Sequence, residues 1–125
     1  MSHGKFGTAI NCMDGRTQEP VSKWLKEKYQ LDFVDTITEP GIDKIVCDCT
    51  PDKIESIKSR VLISVKKHGS KIIAIVGHYD CAGNPVSEEE HLIQIKKAIA
   101  IVRRWNLPAE VIGLWVNENW KVELI

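Results

Sequence analysis

Apolar positions along the chain follow two different periods. Short runs rich in aliphatic and β-branched residues, FGTAIN, FVDTIT, IIAIVG and VIGLWV, alternate with longer segments whose apolar residues recur every three or four positions. The first kind suits strands and the second suits helices with one apolar stripe. Their alternation predicts an α/β fold: a mostly parallel central sheet with helices on both faces.

The first strand is expected from about Lys5 to Asn11, and a helix from about Glu19 to Tyr29 then turns Val21, Trp24, Leu25 and Tyr29 inward. Pro20 suits its first turn. A second strand, DFVDTIT, ends at Pro40 and Gly41. The next helix is expected to open with Thr50 as cap and Pro51 behind it, to bury Ile54, Ile57, Val61 and Val65, and to stop at Gly69. KIIAIVG is apolar at nearly every position, as a central parallel strand buried on both faces would be. Ser87 and Glu90 form a capping box for a third helix, which buries Leu92, Ile95, Ile99, Val102 and Trp105 before Pro108. EVIGLWV follows as a fourth strand, and NENW turns the chain into an antiparallel last strand, KVELI. Right-handed crossovers permit a strand order of 2-1-3-4 with that antiparallel strand at the edge.

Length and composition narrow the class. At 125 residues, the chain is expected to be one domain over residues 1–125. Lys plus Arg and Asp plus Glu both number 17, so the basic excess needed to neutralise nucleic-acid phosphates is missing and nucleic acid is not an expected partner. No apolar run reaches the roughly 20 residues that span a bilayer, and MSHGKFGTAI lacks a secretory signal's apolar centre. Without a membrane segment or signal, the expected location is the cytoplasm. Thiols stay reduced there, so Cys12, Cys47, Cys49 and Cys81 are expected as metal ligands, reactive groups or core filler.

Chemistry gathers in two stretches, NCMDGR at residues 11–16 and GHYDCAG at residues 77–83. They follow the first and third strands, which a 2-1-3-4 order makes neighbours, at the crevice where open α/β sheets bind ligands. Zinc favours thiolate and imidazole, and two of the first with one of the second leave a tetrahedral position open. Cys12, His78 and Cys81 supply that set. Asp14 adds a carboxylate that could ligate the metal as a fourth ligand or accept a hydrogen bond from metal-bound water. Arg16 has the planar fork that grips a carboxylate bidentately and holds it off the metal.

Cys12-Met13-Asp14-Gly15-Arg16 and Gly77-His78-Tyr79-Asp80-Cys81 resemble the Cys-x-Asp-x-Arg and His-x-x-Cys elements of the β-class carbonic anhydrases. The similarity extends more loosely from about Lys5 to Ile125. It implies zinc held by Cys12, His78 and Cys81 with an Asp14–Arg16 dyad beside it, and zinc-bound hydroxide that attacks carbon dioxide to give bicarbonate. It also implies a homodimer or higher homo-oligomer, for which Trp115 and Trp120 near the edge hairpin are candidate contacts. Two departures stand out: the first strand starts almost at Met1, where the family usually has a helical arm, and the turn after the second strand reads Thr38-Glu39-Pro40-Gly41 instead of Arg-Asn-Ala-Gly.

Other readings compete. A pocket missing one wall would suit a related small electrophile such as carbonyl sulfide, and a non-catalytic relative would keep zinc for structure or for a partner. Cys47 and Cys49 share one side of an extended segment and could form a second thiolate site or a redox pair, although packing is favoured. His3, His68 and His91, at a terminus, a helix end and a helix start, are expected to be solvated, and Asp80 to be a turn residue. A phosphatase-like loop is discounted, because three residues between Cys12 and Arg16 are too few to wrap a phosphate and Asp14 would repel it.

Overall fold

The computed structural model describes residues 4–125. In chain order the elements are β1 (Phe6–Cys12), α1 (Gly15–Tyr29), β2 (Phe33–Glu39), α2 (Ile42–Asp48), α3 (Pro51–Leu62), β3 (Ile72–His78), α4 (Glu88–Arg103), β4 (Glu110–Val116) and β5 (Val122–Leu124). A π-helical turn over Ile63–Lys67 extends α3, and the chain leaves it through Gly69, whose φ of +72° suits glycine.

The sheet order is β2-β1-β3-β4-β5, with β1 to β4 parallel and β5 antiparallel to β4. The step from β1 to β2 runs one way across the sheet, and the later parallel crossovers run the other way. Right-handed connections therefore place α1 on one face and α2, α3 and α4 on the opposite face. The core divides accordingly. Val21 and Leu25 of α1 pack with Ala9, Ala74, Val76 and Leu114, whereas Val46, Ile57, Ile95 and Val102 pack with Ile10, Ile73, Ile75 and Trp115. β3 is buried along its whole length, as its unbroken apolar run requires.

Several elements depart from the sequence expectation. Helix α1 starts at Gly15 because Asp14 caps it: the carboxylate accepts the Arg16 N–H at 2.9 Å, and the Thr17 hydroxyl donates to the Asp14 carbonyl at 2.8 Å. Its polar first turn carries no apolar stripe, and Pro20 consequently lies inside the helix, where it can donate no backbone hydrogen bond. The segment around Cys47 is the short helix α2, not an extended strand, and Cys49 is its left-handed C-cap. Ile42 and Val46, one turn apart, are its apolar anchors. Helix α4 begins with the Ser87 hydroxyl accepting the Glu90 N–H, as expected, but ends at Arg103, before Trp105.

The expectation of solvated histidines fails at His91. It is only 1% exposed and faces Asp43, another 1% exposed residue, across the interior. Trp115 is likewise a core residue and no surface contact, with its ring 5.2 Å from that of His91. His68 stays partly exposed, stacks on Phe6 and pairs with Asp35 at 2.6 Å. His3 lies outside the described residues. Among the described residues no helix is long and apolar enough to cross a membrane.

Candidate metal centre

All four parallel strands point their carboxyl ends to one edge, and β1 and β3 are neighbours there. Cys12 is the last residue of β1 and His78 the last of β3, with Cys81 in the turn that follows. All three are buried, and their potential ligand atoms lie within 4.8 Å of one another. The two sulfurs are 3.9 Å apart. Two zinc–sulfur bonds of about 2.3 Å at a tetrahedral angle would separate them by about 3.8 Å. The spacing therefore already fits the ion.

His78 is oriented by its other nitrogen. Nδ1 lies 2.7 Å from the Tyr79 carbonyl, which can only accept, so the proton sits on Nδ1 and Nε2 presents its lone pair. That Nε2 is fully buried beside the Cys12 sulfur and, among the described residues, makes no hydrogen bond of good geometry. A buried polar atom left this way costs free energy unless something coordinates it.

The sulfurs tell a similar story. Its contact with Cys81 is the main reason the Cys12 thiol is held well below the ordinary thiol range; His78 and the backbone of Gly41 and Asp14 assist, while burial opposes. The Gly41 N–H points at the Cys12 sulfur from 3.5 Å. Cys81 moves the opposite way, raised by its hydrogen bond to Cys12, by burial and by the Cys12 charge. At His78 burial lowers the pKa, but the Cys12 sulfur, the Tyr79 carbonyl and the Asp14 charge outweigh it and leave it raised. Two thiolates in contact repel each other, and a shared divalent cation removes that conflict. Donor types, spacing and the orphaned imidazole nitrogen all fit zinc.

Asp14 and Arg16 lie at the mouth of this cluster. Arg16 Nη2 donates to Asp14 Oδ2 at 2.7 Å and Nε to Oδ1 at 3.0 Å, the two-pronged grip expected of a guanidinium. Both carboxylate oxygens are engaged, and Asp14 does not join the sulfur–imidazole cluster. The Arg16 side chain is the main cause that lowers Asp14 to about 2. Arg16 is itself anchored: it reaches the Asp80 carboxylate at 3.3 Å and the Asp80 carbonyl at 3.2 Å, and its guanidinium lies 4.4 Å from the Trp120 ring centroid. Asp80 is thus the turn residue expected, with φ of +57°, and also a second partner for Arg16.

Sequence reasoning missed several supports. Gln18 donates to the carbonyls of Cys12 and Asp14 at 2.8 and 2.9 Å, pinning the loop between β1 and α1. One turn after the Asp14 cap, its position inside α1 was the available signal. Trp120 offered none, because its contact with Arg16 is made only through the fold. Cys47 is half-buried on α2, and burial raises its thiol; it takes no part in the cluster.

Cavities elsewhere do not involve the cluster. One of about 520 Å³ lies at the amino ends of the strands beside Phe6, Leu31 and Ile72, and another of about 960 Å³ runs along α1.

The comparisons agree with this geometry. A family model described as "Putative carbonic anhydrase" matches residues 2–125. A carbonic anhydrase from Glaciozyma antarctica superposes with a TM-score of 0.63 at 16% identity, over 99% of this chain and 83% of that one. A structure from a study of two tetrameric β-carbonic anhydrases of Sordaria macrospora gives 0.61 at 14% identity, over 100% and 82%. At such identities these structures establish the fold. A 4-alpha-glucanotransferase of Thermococcus kodakarensis is 26% identical over 123 residues, but these are 98% of this chain and only 18% of that protein. The chain thus spans less than a fifth of that protein, whose activity does not carry over to it. With a family match that spans nearly every residue and a sheet that superposes on solved members, this chain belongs to the carbonic anhydrase family and has the β-class fold.

Proposed function

We propose that the chain is a zinc-dependent carbonic anhydrase, a lyase that hydrates carbon dioxide to bicarbonate, with Cys12, His78 and Cys81 holding the metal. The observation that carries this reading is the convergence of two sulfurs 3.9 Å apart with a buried, unpartnered imidazole nitrogen beside an arginine-held carboxylate. Zinc bound there would supply Lewis acidity that brings the pKa of a coordinated water toward neutrality.

The chain's own residues do the rest. Arg16 keeps Asp14 engaged and ionised, so the carboxylate would be held back from a metal on Cys12, His78 and Cys81. Asp14, held beside the cluster by Arg16, would be the hydrogen-bond acceptor that orients a water for attack on the substrate carbon. Trp120 and Asp80 keep Arg16 from rotating away. Release of Asp14 from Arg16 would free it to take the fourth position and close the site.

The same reading makes the chain one domain that acts in the cytoplasm as a homo-oligomer. The tetrameric relatives support assembly, as do Met13 and Tyr79, large exposed residues that directly follow Cys12 and His78. Stopped-flow hydration of carbon dioxide by zinc-loaded protein tests the activity. Turnover well above buffer that is lost in Asp14→Ala is expected. Full zinc loading with no turnover above buffer would indicate a non-catalytic relative, and turnover of carbonyl sulfide alone would shift the substrate.

A further inference from the structure

Behind the metal centre lies a second polar cluster for which the chemistry above has no use. Asp43 of α2, Asn84 of the loop after β3 and His91 of α4 are each at most 1% exposed, inside the larger half of the core. The His91 Nδ1 meets Asp43 Oδ2 at 2.6 Å. The Asn84 amide donates to Asp43 Oδ1 at 3.2 Å and to Gln94 Oε1 of α4 at 2.6 Å. Three elements distant in sequence are thereby tied together where bulk water cannot replace a lost partner.

Each tie leads to one of the three ligands. Asn84 follows Cys81 by three residues and closes its turn, with its own N–H donating to the Cys81 carbonyl at 3.3 Å. Gly77 directly precedes His78, and the Asp43–His91 pair rests against it: a Cβ there would lie 2.7 Å from Asp43 Oδ2 and 3.3 Å from His91 Nδ1. Gly41 lies two residues before Asp43 and directs its N–H at the Cys12 sulfur. It also packs backbone to backbone on Gly83, next to Asn84, so closely that a Cβ on either would fall 2.6 Å from the other's main chain. One knot touches the supports of Cys12, His78 and Cys81 at once.

We propose that Asn84, Asp43 and His91 are positioning residues for the metal centre, locking the three ligand-bearing segments into the spacing that a tetrahedral ion requires. The proposal rests on the reading that Cys12, His78 and Cys81 bind zinc. A hydrophobic filler could pack the same volume, but it could not set the angle between α2 and the Cys81 turn, because only directional bonds do so.

The test is zinc affinity, measured by competition with a chromophoric chelator, in wild type, Asn84→Ala and Gln94→Ala, each at a temperature where circular dichroism shows it folded. Outer-sphere partners of this kind are typically worth about 10–100-fold in metal affinity. Asn84→Ala is expected to weaken zinc binding by about tenfold or more and to alter the thiolate-to-cobalt charge-transfer band of the cobalt-loaded protein. Gln94→Ala, a milder change at a half-buried residue, is expected to weaken binding by a few-fold; it decides the matter if Asn84→Ala does not fold. Folded variants with wild-type affinity and an unchanged cobalt spectrum would overturn the proposal. Failure of the wild type to bind zinc would overturn the underlying reading instead.

Discussion

Two acid–base pairs lie on either side of the carboxyl edge of the sheet, and they differ in almost everything but chemistry. In Asp14–Arg16 the side chains are 18% and 47% exposed; in Asp43–His91 they are 2% and 1% exposed. Water can stand in for either partner of the first pair, so that pair contributes little to folding and is free to exchange partners. Nothing can stand in for a partner of the second, so it cannot exchange without loss of the fold. On the proposed reading, the first pair would be the one able to let go and the second the one that holds Cys12, His78 and Cys81 in place.

The largest effect should come from the buried pair. Asp43→Ala leaves His91 Nδ1 and the Asn84 amide without their partner in the core and should cost about 1–3 kcal/mol for each stranded group. Urea unfolding of the metal-free protein would show it as a lower midpoint with an unchanged slope. The contrast would be inverted if Asp43→Ala unfolded like wild type.

Asp14→Ala should do the reverse. Its urea midpoint is expected to fall only modestly, by the roughly 1 kcal/mol of a lost helix cap, while hydration turnover falls by about 100-fold or more, within the range for a lost proton-handling group. Stopped-flow assay and denaturation on the same preparation check both halves.

pH provides a subtler comparison. The folded pKa of Asp14 is depressed, from 3.8 to about 2, so its contribution to stability is fully present above pH 3.8 and is lost as pH falls through about 2. The stability difference between wild type and Asp14→Asn should therefore be flat from neutrality down to about pH 4 and shrink below it. A difference that instead vanished between pH 7 and 5 would show that the Arg16 grip is not what stabilises the carboxylate.

The smallest effect should come from the remaining thiols. Cys49→Ser lies on an exposed cap and should leave zinc content and turnover unchanged. Any loss of metal on that change would bring Cys49 into the site.

Much of this was legible in the residues. β3 and β4 announce themselves by unbroken apolar runs, and the Ser87 and Glu90 signal marks the start of α4. The meeting of Cys12, His78 and Cys81 was legible too, because residues at adjacent strand ends must meet if the order is 2-1-3-4. The Asp43 knot was not. Its members are separated by up to 48 positions, from Asp43 to His91, and polar residues near helix starts are usually solvated. Their packing against Gly41, Gly77 and Gly83, where a Cβ would collide, shows only in the fold. Helix α2 was missed for a local reason: seven residues with two β-branched anchors are too few to show a helical period, and the stretch around Cys47 reads as extended.

The most direct test is elemental analysis of the protein purified without added metal and then dialysed against micromolar zinc. About one zinc per chain, falling to background in Cys81→Ser, is the predicted result, since the side chains of Cys12, His78 and Cys81 converge at a spacing that suits one tetrahedral ion. A well-folded wild type that retains no zinc after this treatment would contradict it.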